Sequence, residues 1–509
     1  MSAESEGGAV NRWAITVCTM MATTMNTLDT TIVNVALPHI QGSVSAAVDQ
    51  ITWVLTSYVL ASAIGTPITG WLAGRIGRKR LYLLSLAGFT IASMLCGMAT
   101  SLLEIVVFRV LQGLFGAPLV PLSQATLLDI NPPEKHGEAM AIWSAGALIG
   151  PIFAPTLGGW LTDQLSWRWC FFINLPIGLL ALIGIWLFVS PDRPERSARL
   201  DFIGFGALVV FAAAFQLMLD RGGTLDWFSS PEIWIEAIVA GMALWVFIVQ
   251  MAASRRPFVD PELFGDRNFV TASIFAFVFV GVLFAGMALA PPMLQGLMGY
   301  SVTQTGFLLM PRGIGSLLPM LIVGRLVGHL DTRVILGFGL ATLLYSTHTM
   351  TRFDLMMDSR LFFYSGFFQG LGAGLVIAPT ATIAFATIPA RLRAEGSSMY
   401  TLVRNLAASI GISSMQVLAT RNAQVMHSSL AEHVAPGDPV VGATLGADAG
   451  AAHLSALVQL DAEINRQATM VAYVNDYRLM FILILCCVPL LLLLRPLRSG
   501  GKPIHVARN

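Results

Sequence analysis

The chain has 509 residues, 55% of them hydrophobic and only 12% charged, against roughly 25% charged in an average soluble protein. This excludes an ordinary soluble domain and marks a polytopic membrane protein. A formal net charge of +1 also argues against a nucleic-acid partner, since a phosphate-binding surface needs a clustered basic excess.

A helix needs about 20 apolar residues to cross the hydrocarbon. Fourteen segments qualify: 13–38, 51–72, 81–99, 102–126, 138–162, 169–190, 202–219, 232–252, 269–297, 304–328, 333–350, 360–385, 395–420 and 475–494. The first run is too long for a cleavable signal peptide and lacks a small-residue cleavage site. Cys18, Cys96, Cys170, Cys486 and Cys487 lie in apolar runs without metal-ligand spacing, so neither a disulfide nor a metal site is expected. With both termini cytoplasmic, about 20 Lys and Arg fall on the inner side and 7 on the outer. That bias supports the orientation and the even number of spans.

Span 1 contains Asn26 to Pro38, and within it Asp29. A carboxylate on a membrane-spanning helix costs about 2.5 kcal/mol or more and usually faces a cavity or a partner. Asp29 is therefore read as a protonation site. Gly70, Arg75, Gly77 and Arg78 follow in a short inner loop. The glycines permit a tight turn, and the basic residues meet headgroups and helix C-termini. Span 4 carries Arg109 and Gln112. At 1.5 Å per residue, Asp29 lies roughly 6 Å and Arg109 roughly 7–8 Å outward of their span centres. They share a depth, and opposite charges facing one cavity lower each other's desolvation cost. A static ion pair that only fixes packing is the alternative. Glu104, near the outer end of span 4, is read as solvated. Span 5 holds Gly146, Gly150, Pro151, Pro155, Gly158 and Gly159, where glycines four apart permit close helix approach and prolines bend the helix.

The chain also carries a weak duplication. Gln112 to Val120 matches Gln369 to Val376, Gly70 to Arg75 matches Gly324 to His329, and Glu138 to Met140 matches Glu395 to Met399. The offsets agree near 255 residues, about two helices longer than a six-span bundle needs. Two six-helix halves, 1–190 and 261–509, with two helices inserted in 191–260, explain it. Such repeats place the substrate path at their interface. Gly366 stands where Arg109 would recur, which puts proton coupling mainly in the first half. Arg312, Arg404, Asn405, Asn34, Gln112 and Gln369 are substrate or cavity candidates; interior arginines can hold an anionic substrate or carbonyls freed by proline. An outer stretch, 421–474, reads as a long loop with a possible amphipathic helix from His453 to Val474. Docking of a partner and a floppy insertion are both open for it.

Leu28 to Pro38, Arg109 to Gly113, Gly146 to Gly159, and Leu219 to Ser230 together resemble the major facilitator superfamily. The resemblance is to its 14-span drug:proton antiporters, and most closely to the EmrB-type efflux pumps. It covers nearly the whole chain. It implies an all-α major facilitator fold and proton-driven efflux of hydrophobic or amphipathic toxic compounds across a bacterial inner membrane. It further implies work with a membrane fusion protein and an outer-membrane channel. The chain departs from the family at Gly74, where the inner loop motif usually has Asp, leaving Arg78 and Asp129 as the charge lock and predicting a weaker one. No Gly-x-x-x-x-Gly-Lys loop is present, so ATP is not the expected energy source. No catalytic cluster stands outside the membrane, and neither enzyme activity nor a cofactor is expected. Export of an endogenous metabolite or fatty acid, and uncoupled facilitation, remain alternatives.

Overall fold

A computed structural model describes residues 11–46, 48–51, 53–132, 135–190, 201–223, 225–254, 257–326, 330–432 and 451–494. No strand occurs among them. The long helices are α1 (Arg12–Val44), α2 (Trp53–Ile76), α3 (Arg78–Met98), α4 (Leu102–Ile130, broken at Ala117 and Pro118), α5 (His136–Gln164) and α6 (Trp169–Phe188). Then come α7 (Phe202–Gly222), α8 (Pro231–Ala253), α9 (Arg267–Leu297), α10 (Val302–Leu326), α11 (Thr332–Met350), α12 (Ser359–Ala386), α13 (Arg393–Glu432) and α14 (Ala451–Cys487). Among the described residues, nine are long and apolar enough on their own to cross a membrane. Others carry polar residues along the span; α1 alone has seven threonines. Most of these hydroxyls donate to a carbonyl three or four residues back, as Thr23 does to Thr19 O at 3.1 Å. That satisfies them without water.

Helices α1–α6 pack together around α1, and α9–α14 pack together around α9, α12 and α13. Helix α7 lies against α8, α2 and α13, so it touches both groups. The outer face of α8 exposes Trp234, Ile235, Ile238, Met242 and Trp245, an apolar surface suited to lipid.

The two groups of six helices meet at the end of the bundle that carries the basic loops. Gly70 approaches α13 so closely that an added Cβ would lie 3.0 Å from Glu395 Cα. Ser397 donates to Gln124 Oε1 at 2.6 Å. Ala141, Val323, Ile335 and Ala378 form a small apolar cluster there. Asp129 pairs with Arg78 from its own group and with Arg393 of α13 at 3.1 Å. The expected Arg78–Asp129 pair is thus present with Gly74 in the loop, and Arg393 adds a second contact to Asp129 from the other group. Gly77 starts α3 with φ of +89°, a conformation that favours glycine. Arg75 lies over Trp71, 5.0 Å from its centroid, and Lys79 Nζ donates to Trp186 O at 2.7 Å, near the C-terminus of α6 where a cation is favourable.

The structure corrects the loop reading at 421–432 and bears out the helix expected from His453 to Val474, which is part of a longer one. Helix α13 runs on through Glu432, and α14 begins at Ala451, far before the expected start at 475. Forty residues of α13 span about 60 Å, well beyond a hydrocarbon core of about 30 Å. Both helices therefore project as a pair. His427 Nε2 and Asp461 Oδ1 lie 3.0 Å apart across them. Residues 433–450 lie outside those described.

Removing the shared anion should loosen the basic end. Asp129→Asn is expected to make a single cysteine placed at Ser398 react several-fold faster with a water-soluble maleimide, while Asp358→Asn, at the other end, leaves the rate unchanged.

Candidate functional site

Asp29 and Arg109 meet inside the first group of helices. Asp29 is fully buried and Arg109 is 1% exposed. Arg109 Nη1 lies 2.6 Å from Asp29 Oδ2. The other carboxylate oxygen accepts from Gln112 Nε2 and from Asn174 Nδ2, each at 2.9 Å. Arg109 also donates through Nε to Val54 O at 3.0 Å and through Nη1 to Gln112 Oε1 at 2.8 Å. Its guanidinium sits 4.1 Å from the Tyr58 ring centroid and 5.8 Å from that of Phe171. Four helices therefore supply the site: α1 the acid, α2 a carbonyl and an aromatic face, α4 the base and an amide, and α6 a second amide.

Outer contacts hold these groups in place. Asn174 Nδ2 also reaches Ser93 Oγ at 2.9 Å, and Ser93 donates to Phe171 O. Asn26 donates to the Tyr58 hydroxyl at 3.0 Å and to Gly116 O at 3.3 Å. A buried pair with this many charge-assisted bonds can offset its own desolvation. Removing one partner of such a pair costs about 3–5 kcal/mol, since the other charge is left uncompensated.

The span 5 motif forms the face on which this acid-bearing helix rests. A Cβ at Gly146 would lie 2.7 Å from Met20 Cε, at Gly150 2.5 Å from Thr27 Oγ1 and 2.6 Å from Leu28 N, and at Gly158 2.7 Å from Ile32 Cγ1. Thr24 and Thr27 donate to Gly146 O at 2.7 Å and Ala147 O at 3.0 Å. Ala147 O is the carbonyl that Pro151, lacking an N–H, leaves without its usual helical partner. The motif thus fixes α1 immediately beside Asp29. Gly159 points elsewhere and meets nothing within 4 Å. Pro155 continues the same helix, one turn after Pro151.

Several sequence-derived candidates sit differently from expectation. The Asp29–Arg109 pair does not line a cavity between the two groups; it is enclosed by α1, α2, α4 and α6. Gln112 belongs to that network and is fully buried rather than cavity-lining. Gln369 is 1% exposed and packs within the second group. Asn34 and Asn405 are exposed, and Arg404 is half-buried with its guanidinium 6.0 Å from the Tyr400 centroid. Glu104, by contrast, is exposed as expected and accepts from Thr100 N at 2.8 Å. The sequence reading missed Asn174, Tyr58 and Val54 O. Only Asn174 had a visible signal, as a lone amide in an apolar run.

The second group repeats this arrangement with its charges moved. The offset that aligns Gly70 with Gly324 aligns Tyr58 with Arg312. Gly366, in place of Arg109, leaves room for Arg312, whose Cβ would lie 4.0 Å from a Cβ there. Gln369 recurs for Gln112, but its Nε2 lies 3.2 Å from where Gly286 would carry a Cβ. Gly286 thus stands where Asp29 would recur. The second group has kept the guanidinium and lost the carboxylate. Arg312 is 9% exposed, its Nε has no hydrogen-bond partner, and no ion pair involves it among the described residues.

A family profile for the Major Facilitator Superfamily matches residues 19–412. The chain belongs to this superfamily. It is 37% identical to the Multidrug export protein EmrB of Haemophilus influenzae over 86% of this chain and 85% of that protein. It is 35% identical to the Fatty acid resistance protein FarB of Neisseria gonorrhoeae over 97% and 98%. The human organic anion transporter MFSD10 shares the fold at a TM-score of 0.60 and 14% identity, over 93% of this chain and 99% of that one. The protein is accordingly a multi-pass membrane transporter.

The glycine face yields a stability prediction. Gly150→Leu should lower the thermal unfolding temperature in detergent, since overpacking costs about 1–3 kcal/mol or more, whereas Gly159→Ala should be nearly neutral. Equal effects from the two would contradict the packing described.

Proposed function

We propose that the protein is a proton-driven antiporter that exports hydrophobic and amphipathic toxic compounds across a bacterial inner membrane. The observation that carries this reading is the buried Asp29 carboxylate, held by Arg109, Gln112 and Asn174 and seated on the glycine face of α5. Its similarity to proteins named for multidrug export supports the cargo class. Both termini are cytoplasmic in this reading, so the basic end faces the cytoplasm and the state described is closed on that side.

A proton arriving at Asp29 cancels its attraction for Arg109. Losing a buried partner is worth about 3–5 kcal/mol, and about 5.5 kcal/mol moves a two-state equilibrium from 1:99 to 99:1. One proton therefore supplies most of a switch. Helix α1 transmits it, because the contacts of Met20, Thr27, Leu28 and Ile32 with α5 are too close to slip independently. Helix α5 in turn packs on α10 and α12 of the other group. Substrate binds between the two groups and affects Asp29 through these helices rather than by touching it, with the accessible side chains of Asn34 on α1 and of Arg404 and Asn405 on α13 as candidate polar contacts. The projecting pair formed by α13 and α14 is the place for a membrane fusion protein to dock, with an outer-membrane channel beyond it.

A second reading, export of fatty acids, has its own support in the unpaired Arg312. A long-chain acid would bring the carboxylate that Gly286 lacks, and the similarity to a fatty acid resistance protein points the same way.

Two variants separate these readings. Asp29→Asn is expected to abolish efflux driven by a pH gradient in proteoliposomes; active, gradient-dependent efflux by this variant would refute the coupling role. Arg312→Gln should lower fatty acid efflux at least tenfold and leave efflux of a cationic dye unchanged if the carboxylate is read there.

A further inference from the structure

The second group of helices contains a buried acid that the account so far does not use. Asp476, on α14, is 1% exposed, and neither of its carboxylate oxygens has a hydrogen-bond partner. No ion pair among the described residues involves it. Asp29, by contrast, has three donors, one of them cationic. An ionised carboxylate without donors or counter-charge is costly in apolar surroundings, whereas a neutral one is far less so.

A solvent-open groove ends one helical turn from Asp476. This groove, of about 600 Å³, separates α13 from α14 where they project, and its polar lining includes His427, Asp461, Asn465, Thr469 and Tyr473. Asp476 follows Tyr473 by three residues and Thr469 by seven, so all three share one face of α14. It lies about 4.5 Å deeper than Tyr473 along the helix. The polar side chains thus form a file from the His427–Asp461 pair down to Tyr473, one turn short of the acid.

The charges around Asp476 do not explain it as a static ion pair. On its own helix, Tyr473 and Tyr477 lie within its electrostatic reach, Arg478 is exposed and donates to Asn475 Oδ1 at 3.3 Å, and Arg312 of α10 lies within reach of Tyr477. The Tyr477 hydroxyl is 3.7 Å from Met293 Sδ. Helix α13 carries Arg404, Arg421 and His427 along its membrane and projecting parts, and α11 carries His348, which packs on Phe481. Helix α9 carries only Arg267, at the basic end. None of these bonds to Asp476.

We propose that Asp476 is a second proton-loading site, filled from the far side through the groove between α13 and α14. This rests on the proton-driven reading above and extends it. The protein then binds protons in both groups of helices, at a paired acid in the first and an unpaired one in the second.

Infrared difference spectroscopy of the full-length protein in lipid, stepped in pH across the neutral range, tests this without any transported substrate. The wild type should show a protonated-carboxyl stretch that fades as pH rises. Asp476→Asn, isosteric with the neutral acid, should lack it; Asp476→Glu should shift it; Asp29→Asn should retain it. Asn465→Leu, which replaces a polar group of the groove lining with an apolar one, should slow the fading after a pH jump several-fold and leave its final amplitude unchanged. A spectrum unaltered by Asp476→Asn, or an Asp476 band that does not titrate, overturns the site; an unchanged rate in Asn465→Leu overturns the route. Because the band needs no transport, its absence speaks only against Asp476, whereas efflux indifferent to a protonophore speaks only against proton drive.

Discussion

The architecture depends on one buried interaction, the pairing of Asp29 with Arg109. Each charge is costly alone in a dry helix bundle, and here the pair draws donors and acceptors from four helices. Gln112 bridges both partners, Asn174 closes the second carboxylate oxygen, Val54 O takes the guanidinium Nε, and Tyr58 covers its face. The positions of α1, α2, α4 and α6 are therefore linked to one protonation event. A change of charge at Asp29 cannot remain local, because every member of the network also fixes a helix.

The glycine and proline pattern of α5 gives that event its direction. Glycines leave no room for α1 to slide without carrying α5 along, and the carbonyl freed by Pro151 is claimed by Thr27, two residues before Asp29. At the basic end, Asp129 joins Arg78 and Arg393 across the two groups, and Gly70 lets α2 meet α13. The charge site and the closure between groups are thus separate, joined by helices rather than by contact. That separation suits a pump with varied cargo: substrate chemistry is read in one place and the proton in another.

The sequence made much of this legible. The depth of Asp29 and Arg109, counted along two helices, brought them to the same level, and the structure brings them into contact. The three glycines and Pro151 marked a close-packing face, although not its partner. What stayed hidden depends on tertiary direction. Counting residues gives depth but not azimuth, so Gln112 was read toward a cavity when it faces the acid. Gly366 looked like a simple loss of Arg109, whereas Arg312 fills the vacated space from the neighbouring helix. Asp476 sat at the expected start of a span, where an acid is normally wet. Only the continuous helix from Ala451 shows that it is inside. The expected helix from His453 to Val474 proves continuous with the last span, and 421–432, whose polar composition resembles that of a loop as readily as that of a solvated helix, continues α13.

The most direct test of the coupling is proton release on substrate binding, measured with purified protein in weakly buffered detergent using a hydrophobic cationic dye as substrate. The wild type should release protons and Asp29→Asn markedly fewer, with dye binding retained because the dye does not touch Asp29. Unreduced proton release from Asp29→Asn would contradict the coupling.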